Sequence, residues 1–252
     1  MRQDDRAPFT RALESARLSA YPPGEYVGQE SFMQAGEILA LARRAGVGTG
    51  VRVLDLCCGT AGPGRLITEE LGCSYLGVDY SADAVKIARE RTRHLPCRFE
   101  VGAIPPVPAG TFDAVLLLET MLAFADKGAL LRAITAVLPA GGRLAFTLEE
   151  GQPLTAAERA AMPDADTVHL VPSVEIGRLL TDAGLTITWQ EECTTSHLAV
   201  ARSLLDGYAA AAEAVSLQVG EQALKELLAA HRLWVEWMSS GRVRKFALVA
   251  TR

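Results

Sequence analysis

Two rhythms of apolar positions alternate through the middle of this chain. Short apolar runs fall at 51–57 (VRVLDLC), 75–78, 97–101, 112–118 and 143–148. Between them, 63–71, 82–93 and 127–138 repeat apolar residues at helical spacing, with Leu66, Ile67 and Leu71 on one face of the first. Ser81 stands where the second helix needs its N-cap. Pro139, Gly141 and Gly142 stop the third. Continuous apolar strands separated by amphipathic helices predict a parallel sheet covered on both faces. Right-handed crossovers then bring the strand C-termini to one edge, where ligands bind near the reversal of strand order.

The flanks read differently. Helices are predicted at 11–19 and 29–45, parted by Pro22, Pro23 and Gly24 and closed by Gly46, Gly48 and Gly50. After residue 151 come a helix at 174–183, a strand at 185–191, a long helical stretch at about 198–238 and a last strand at 243–251. No repeat, low-complexity tract or Ser/Gly linker divides the chain. The expected architecture is a single α/β domain over 1–252. It has a Rossmann-like, seven-stranded, mostly parallel sheet with helices on both faces, plus helical cap elements. Residues 1–50 are expected to form an N-terminal lid and 51–151 the cofactor-binding core. Residues 152–252 are expected to form the substrate-side half, with a helical insertion at about 198–238.

Composition narrows the class. The 252 residues are 49% hydrophobic and 22% charged, as in an ordinary globular domain, with a net charge of −5. The acidic balance argues against nucleic acid as a partner. No apolar run approaches the ~20 residues of a membrane span. The opening MRQDDRAPFT has no apolar core, so no signal peptide is expected. The five cysteines are odd in number and lack a CxxC, which predicts neither a disulfide framework nor a zinc ribbon, and no bound metal is expected. A reducing, cytoplasmic setting is the expectation.

The informative stretch is 53–64, VLDLCCGTAGPG: a strand, an Asp near its end, a turn of small residues, then a helix. Small residues let backbone approach a ligand, and a helix start offers unpaired N–H groups. Asp79 follows Asp55 by 24 positions, at the end of the next strand, where a carboxylate can accept the hydroxyls of a ribose. Glycines at 59, 62 and 64 do not match the GxGxxG of dinucleotide sites. Asp55 is awkward beside a pyrophosphate and suited to an ammonium. S-adenosylmethionine offers a ribose, an adenine and an ammonium without a phosphate. An NAD(P)-dependent oxidoreductase is the weaker reading.

The same stretch resembles the first motif of the class I S-adenosylmethionine-dependent methyltransferases, VLDxGxGxG. The resemblance runs on through YLGVDYS (75–81), TFDAVLLLE (111–119) and LPAGGRLAFTLEE (138–150), about the middle hundred residues. These motifs are specific for the superfamily and poorly specific for substrate. The resemblance implies that Gly59, Thr60 and Ala61 line the methionine part of the cofactor, in the loop that also holds Asp55 and Cys57. It implies that Asp79 holds the ribose, Tyr80 flanks the adenine, Ala103 and Ile104 bound it, and Leu118 and Glu119 sit below the methionine end. Cys57 and Ala61 stand where the family usually has glycines, and Gly102–Ala103–Ile104 where it often has an Asp.

Other candidates are weighed residue by residue. Cys57 and Cys58 read as small hydrophobes. Glu119 is the carboxylate expected to face the pocket, with Glu149 and Glu150 at the same edge and Glu150 read as a solvated loop charge. His169 is the second catalytic candidate, as a general base; His197 could serve likewise. Tyr21, Tyr26, Phe32, Trp234 and Trp237 either pack a core or line a lid over the cofactor edge. The expected function is methyl transfer from S-adenosyl-L-methionine to a small-molecule acceptor by in-line displacement, with an O-, N- or C-nucleophile. A non-methylating protein using the same pocket is the alternative. No membrane partner is expected, and a homodimer is left open.

Overall fold

The computed structural model describes residues 11–252, so the expectations made for residues 1–10, the opening segment and the front of the lid, lie outside it. Seven strands form one sheet: β1 (Arg52–Leu56), β2 (Ser74–Asp79), β3 (Cys97–Val101), β4 (Ala114–Leu117), β5 (Arg143–Glu150), β6 (Thr186–Glu192) and β7 (Arg244–Thr251). Their order is β3-β2-β1-β4-β5-β7-β6. The first five run parallel to one another, and β7 runs antiparallel to both β5 and β6. This is the expected seven-stranded Rossmann-like sheet, with strand order reversing between β1 and β4.

Strand periodicity divides the interior into two layers. Leu54, Leu56, Val115 and Leu117 join one buried cluster, while Val53, Ala114 and Leu116 join the other. Every residue of β4 is buried, which is why that run carries no polar alternation.

In chain order the helices are α1 (Arg11–Ala20), α2 (Ala35–Arg44), α3 (Gly62–Leu71), α4 (Ala82–Arg91), α5 (Lys127–Val137), α6 (Ala156–Ala161), α7 (Ser173–Asp182), α8 (Thr194–Ala210), α9 (Ala212–Val219) and α10 (Glu221–Ser240). Ser81 caps α4 as expected, its Oγ accepting the Ala84 N–H at 3.2 Å. Two expectations need correction. The second helix begins at residue 35 and not at 29, because the Gln29 side chain captures the backbone: its amide donates to the carbonyls of Glu25 and Met33, and its oxygen accepts the Val27 N–H. The stretch at 198–238 is three helices, broken at Ala211 and at Gly220, whose φ is +92°.

Two features position the site. The reversed β7 brings Lys245 opposite Glu149, at the edge where β1–β5 end. Helices α1, α8, α9 and α10, with Tyr21 just after α1, pack through Leu13, Leu204, Tyr208, Val215 and Leu224 into a cap of their own. Among the described residues no helix is long and apolar enough to cross a membrane.

Candidate active site

The loop after β1 turns sharply through Cys57, Gly59 and Ala61, with φ of +61°, +54° and +58°. Such angles favour glycine and cost an L-residue roughly 1–2 kcal/mol. Gly59 donates its N–H to Asp79 Oδ2 at 2.8 Å, and Asp79 Oδ1 accepts the Ser81 N–H at 2.9 Å. The ends of β1 and β2 are thus locked together by one carboxylate. Beside it, Tyr80 is 75% exposed, and a Cβ at Gly59 would meet open space. Ala103 is exposed, and Ile104 and Leu118 are half-buried.

Asp55 behaves differently from its expectation. It is buried, and its carboxylate accepts the hydroxyl of Tyr75 on β2 instead of facing a ligand ammonium. Burial pushes its carboxyl up to about 7, against the pull of that hydrogen bond. Burial likewise raises the Cys57 thiol to about 12, so it stays protonated and packs as a small apolar group.

A strap of residues 25–34 crosses this loop. Thr60 Oγ1 donates to the Gly28 carbonyl, and Arg91 joins Thr60 to Glu14 of α1 at 2.8 and 2.7 Å. A Cβ at Gly62 would lie 2.6 Å from the Gly28 carbonyl carbon and 2.7 Å from the Val27 oxygen, so only glycine admits this contact.

Beyond the strap lies a cavity of about 250 Å³. Its floor is Glu119 after β4, Glu149 of β5 and Lys245 of β7; its walls include Phe32 from the strap and Tyr208, His231 and Trp234 from α8 and α10. Glu119 has a left-handed φ of +58°, and its N–H donates to Thr147 Oγ1 at 2.5 Å. Lys245 Nζ donates to Glu119 Oε2 at 2.7 Å and to Glu149 Oε1 at 2.5 Å. Burial by itself would raise the Glu119 carboxyl; Lys245 and His197 more than offset that and hold it below the usual range. The fully buried His197 has Nδ1 3.7 Å from Glu119 Oε1 and Nε2 3.3 Å from Glu37 Oε2. His231 packs edge-on against Phe32 and Tyr208 and is pushed toward its neutral form by burial.

Comparison with known proteins gives a consistent result. Residues 53–142, from β1 to the turn before β5, match the family model described as a methyltransferase domain. The phosphoethanolamine N-methyltransferase 1 of Arabidopsis thaliana is 30% identical over 162 residues, 62% of this chain and 33% of that protein. Over residues 53–142, then, the chain is similar to a methyltransferase domain.

The methyltransferase fold extends over almost the whole chain. The Haemonchus contortus phosphoethanolamine N-methyltransferase 2, solved in complex with S-adenosyl-L-methionine, superposes with a TM-score of 0.79 at 19% identity, covering 98% of this chain and 58% of that one. The [4+2]-cyclase SpnF superposes with a TM-score of 0.76 at 19% identity, covering 98% and 94%. The chain spans about a third of the length of the first curated relatives it matches, 33% for the two Arabidopsis proteins.

Seen as a methyltransferase loop, the departures at Cys57 and Ala61 have a physical reading: both hold the left-handed angles that glycine takes without strain. Glu119 reaches the cavity floor. His169 does not line the cavity; its N–H donates to the Leu122 carbonyl, and its own carbonyl accepts Lys127 Nζ. The histidines near the floor and in the wall are His197 and His231. Sequence reasoning passed over Lys245, Glu30 and Arg17. A lysine leading into the apolar run FALVA was the one signal for Lys245; Arg17 and Glu30, paired at 3.0 Å, gave none.

Proposed function

We propose that this chain transfers the methyl group of S-adenosylmethionine to a small-molecule acceptor enclosed in the cavity above Glu119. One observation carries the reading: Glu119 follows β4 in a left-handed conformation and lines the cavity floor, next to the strand ends that form the cofactor loop. The residues fit the cofactor. Asp79 is the carboxylate for a ribose, Gly59, Thr60 and Ala61 are the small-residue loop for the methionine part, Tyr80, Ala103 and Ile104 bound the adenine side, and Leu118 lies with Glu119 below the methionine end. Bound there, S-adenosylmethionine supplies an electrophilic methyl group on a sulfonium. The chain's own task is alignment and exclusion of water, and alignment of this kind can supply roughly 7–11 kcal/mol. The strap and the α8–α10 cap enclose the acceptor. Glu119, ionised and beside His197, takes the proton that an N–H or O–H acceptor must lose.

The test begins with donor binding by calorimetry. The wild type is expected to bind S-adenosylmethionine and not NADH, and Asp79→Ala to weaken donor binding at least tenfold. NADH binding without donor binding would overturn the reading. Transfer is then assayed with trideuteriomethyl donor against a panel of small amines, phenols and carboxylates, scored by labelled product and released S-adenosylhomocysteine. The superposition with a cyclase over 94% of that chain motivates a second reading, a non-methylating user of the same pocket. Donor binding with no labelled product across the panel would favour it.

A further inference from the structure

The α10 wall of the cavity holds an imidazole whose two nitrogens are placed differently. His231 Nδ1 lies 2.9 Å from the Leu227 carbonyl, one turn back on the same helix. A carbonyl oxygen accepts and cannot donate, so Nδ1 carries a proton. Burial and the Arg17 guanidinium push the ring toward its neutral form, against the pull of that hydrogen bond. A neutral ring protonated at Nδ1 has a bare lone pair at Nε2. With Nδ1 turned back to its own helix, Nε2 lies on the side of the ring away from that carbonyl.

This nitrogen is open to a ligand. His231 is half-buried and lines the cavity together with Ala230 and Trp234 of the same helix. Among the described residues no group donates to Nε2, yet Nε2 is not sealed in the way that Glu119 Oε1 and Glu149 Oε2 are. Phe32 and Tyr208 fix the ring edge to face, with centroids 6.0 and 5.1 Å away.

The charged groups around the cavity are engaged with other partners. Lys245 is shared between Glu119 and Glu149. Arg17 donates to Glu30 and to the Tyr208 hydroxyl. Lys127, close enough to Glu149 to feel its charge, donates to the carbonyls of Phe124 and His169. A ligand at Nε2 therefore does best with a single donor. A carboxylate would set its lone pairs against that of Nε2. An ammonium would bring three N–H donors; Nε2 takes one, and the sealed floor oxygens cannot take the others. A hydroxyl brings one. The rings of Phe32, Tyr208 and Trp234 would pack the apolar remainder. At about 250 Å³ the cavity is smaller than the roughly 300–1,000 Å³ of drug-sized sites, so the ligand is small.

We propose that His231 Nε2 is the recognition point for a hydroxyl group on a small, one-ring apolar ligand, which donates its hydrogen to that nitrogen. The proposal deepens the acceptor reading above and rests on it for the ligand's role as acceptor; binding tests the site apart from methyl transfer.

The experiment uses two pairs in which a hydroxyl replaces a methyl group, phenol with toluene and benzyl alcohol with ethylbenzene, and adds benzylamine and benzoate. They are titrated at pH 7 by ligand-observed NMR into the full chain, alone and with S-adenosylhomocysteine. Within each pair the hydroxyl compound is expected to bind at least fivefold more tightly, although its partner is the more hydrophobic. Benzyl alcohol is expected to bind more tightly than benzylamine or benzoate. His231→Phe keeps a ring against Phe32 and Tyr208 but has no acceptor; it is expected to abolish the preference within each pair while leaving S-adenosylmethionine affinity unchanged. If that variant does not fold, the wild type decides through its ¹⁵N-labelled histidines: the His231 Nε2 resonance should be that of an unprotonated nitrogen and should move with phenol but not with toluene. Toluene binding as well as phenol, benzylamine or benzoate binding better than benzyl alcohol, or a hydroxyl preference that survives His231→Phe overturns the site. So does an Nε2 resonance unmoved by phenol, or no probe binding in a sample that binds S-adenosylmethionine; each of these leaves the methyl-transfer reading standing. A hydroxyl preference lost in His231→Phe, in a protein that never binds S-adenosylmethionine, does the reverse.

Discussion

Asp55 shows how one buried acid makes stability depend on pH. Its carboxyl sits at about 7 in the folded chain against an ordinary 3.8. Between those values the folded state binds more protons than the unfolded state, so this residue's contribution is full below pH 4 and is lost as pH rises through 7. At about 1.4 kcal/mol per unit, the swing is on the order of 4 kcal/mol. Asp55→Asn keeps an acceptor for the Tyr75 hydroxyl and removes the titration. Urea denaturation at pH 5, 6, 7 and 8 is expected to show the variant gaining on the wild type as pH rises, by a few kcal/mol across the range. Parallel profiles would mean that Asp55 is ionised throughout. The same residue marks the limit of spacing arguments: the interval to Asp79 was legible, but the partner that turns Asp55 inward, Tyr75, was not.

At the scale of elements, the strap and the cofactor loop are coupled through Gly62. A methyl group there would press on backbone at Gly28 and Val27, which cannot rotate away as a side chain can. Gly62→Ala is expected to cost about 1–3 kcal/mol, the usual range for overpacking. Hydrogen exchange should quicken over residues 25–34 while β4 and β5 stay protected, and S-adenosylmethionine affinity should fall several-fold. Unchanged exchange in the strap would uncouple it from the loop. The strap also explains what could be read beforehand. The first five strands and their helices were legible because each carries its own apolar period, and the cofactor loop because its residues are neighbours in sequence. The start of α2 was not, since Gln29 ties up local backbone with hydrogen bonds that helical propensity does not reveal. The break at Ala211 was equally hidden, because alanine favours helix, whereas Gly220 signals its break openly. The cavity floor was least legible of all: Glu37, Glu119, Glu149, His197 and Lys245 arrive from separate elements, and no local spacing links them.

Taken as a whole molecule, the fold assembles its site by reversing one strand. Only because β7 runs against β5 does its N-terminal end reach the edge where β4 and β5 finish, bringing Lys245 between Glu119 and Glu149. Burial works to deprotonate Lys245, and the two carboxylates more than offset it, raising the ammonium above its ordinary range. Lys245→Met removes the ammonium that donates to Glu149 Oε1 and leaves two buried carboxylates without their shared cation. Losing one partner of a buried charge cluster costs about 3–5 kcal/mol. The sign with pH follows from Glu119. In the wild type its carboxyl is held below the usual range, so its contribution is present at neutral pH and is lost as pH falls. In the variant, burial acts on Glu119 without the opposing ammonium, so protonation relieves the penalty and the variant recovers as pH falls. The stability gap measured by urea denaturation should therefore be wide at pH 7.5 and narrower at pH 5. Adding Glu119→Gln and Glu149→Gln to Lys245→Met should restore part of the loss at pH 7.5, because neutral side chains no longer need the cation. An equal gap at both pH values, with no recovery in the triple variant, would assign the loss to packing and remove the charge cluster as the element that joins β4, β5 and β7 into one site.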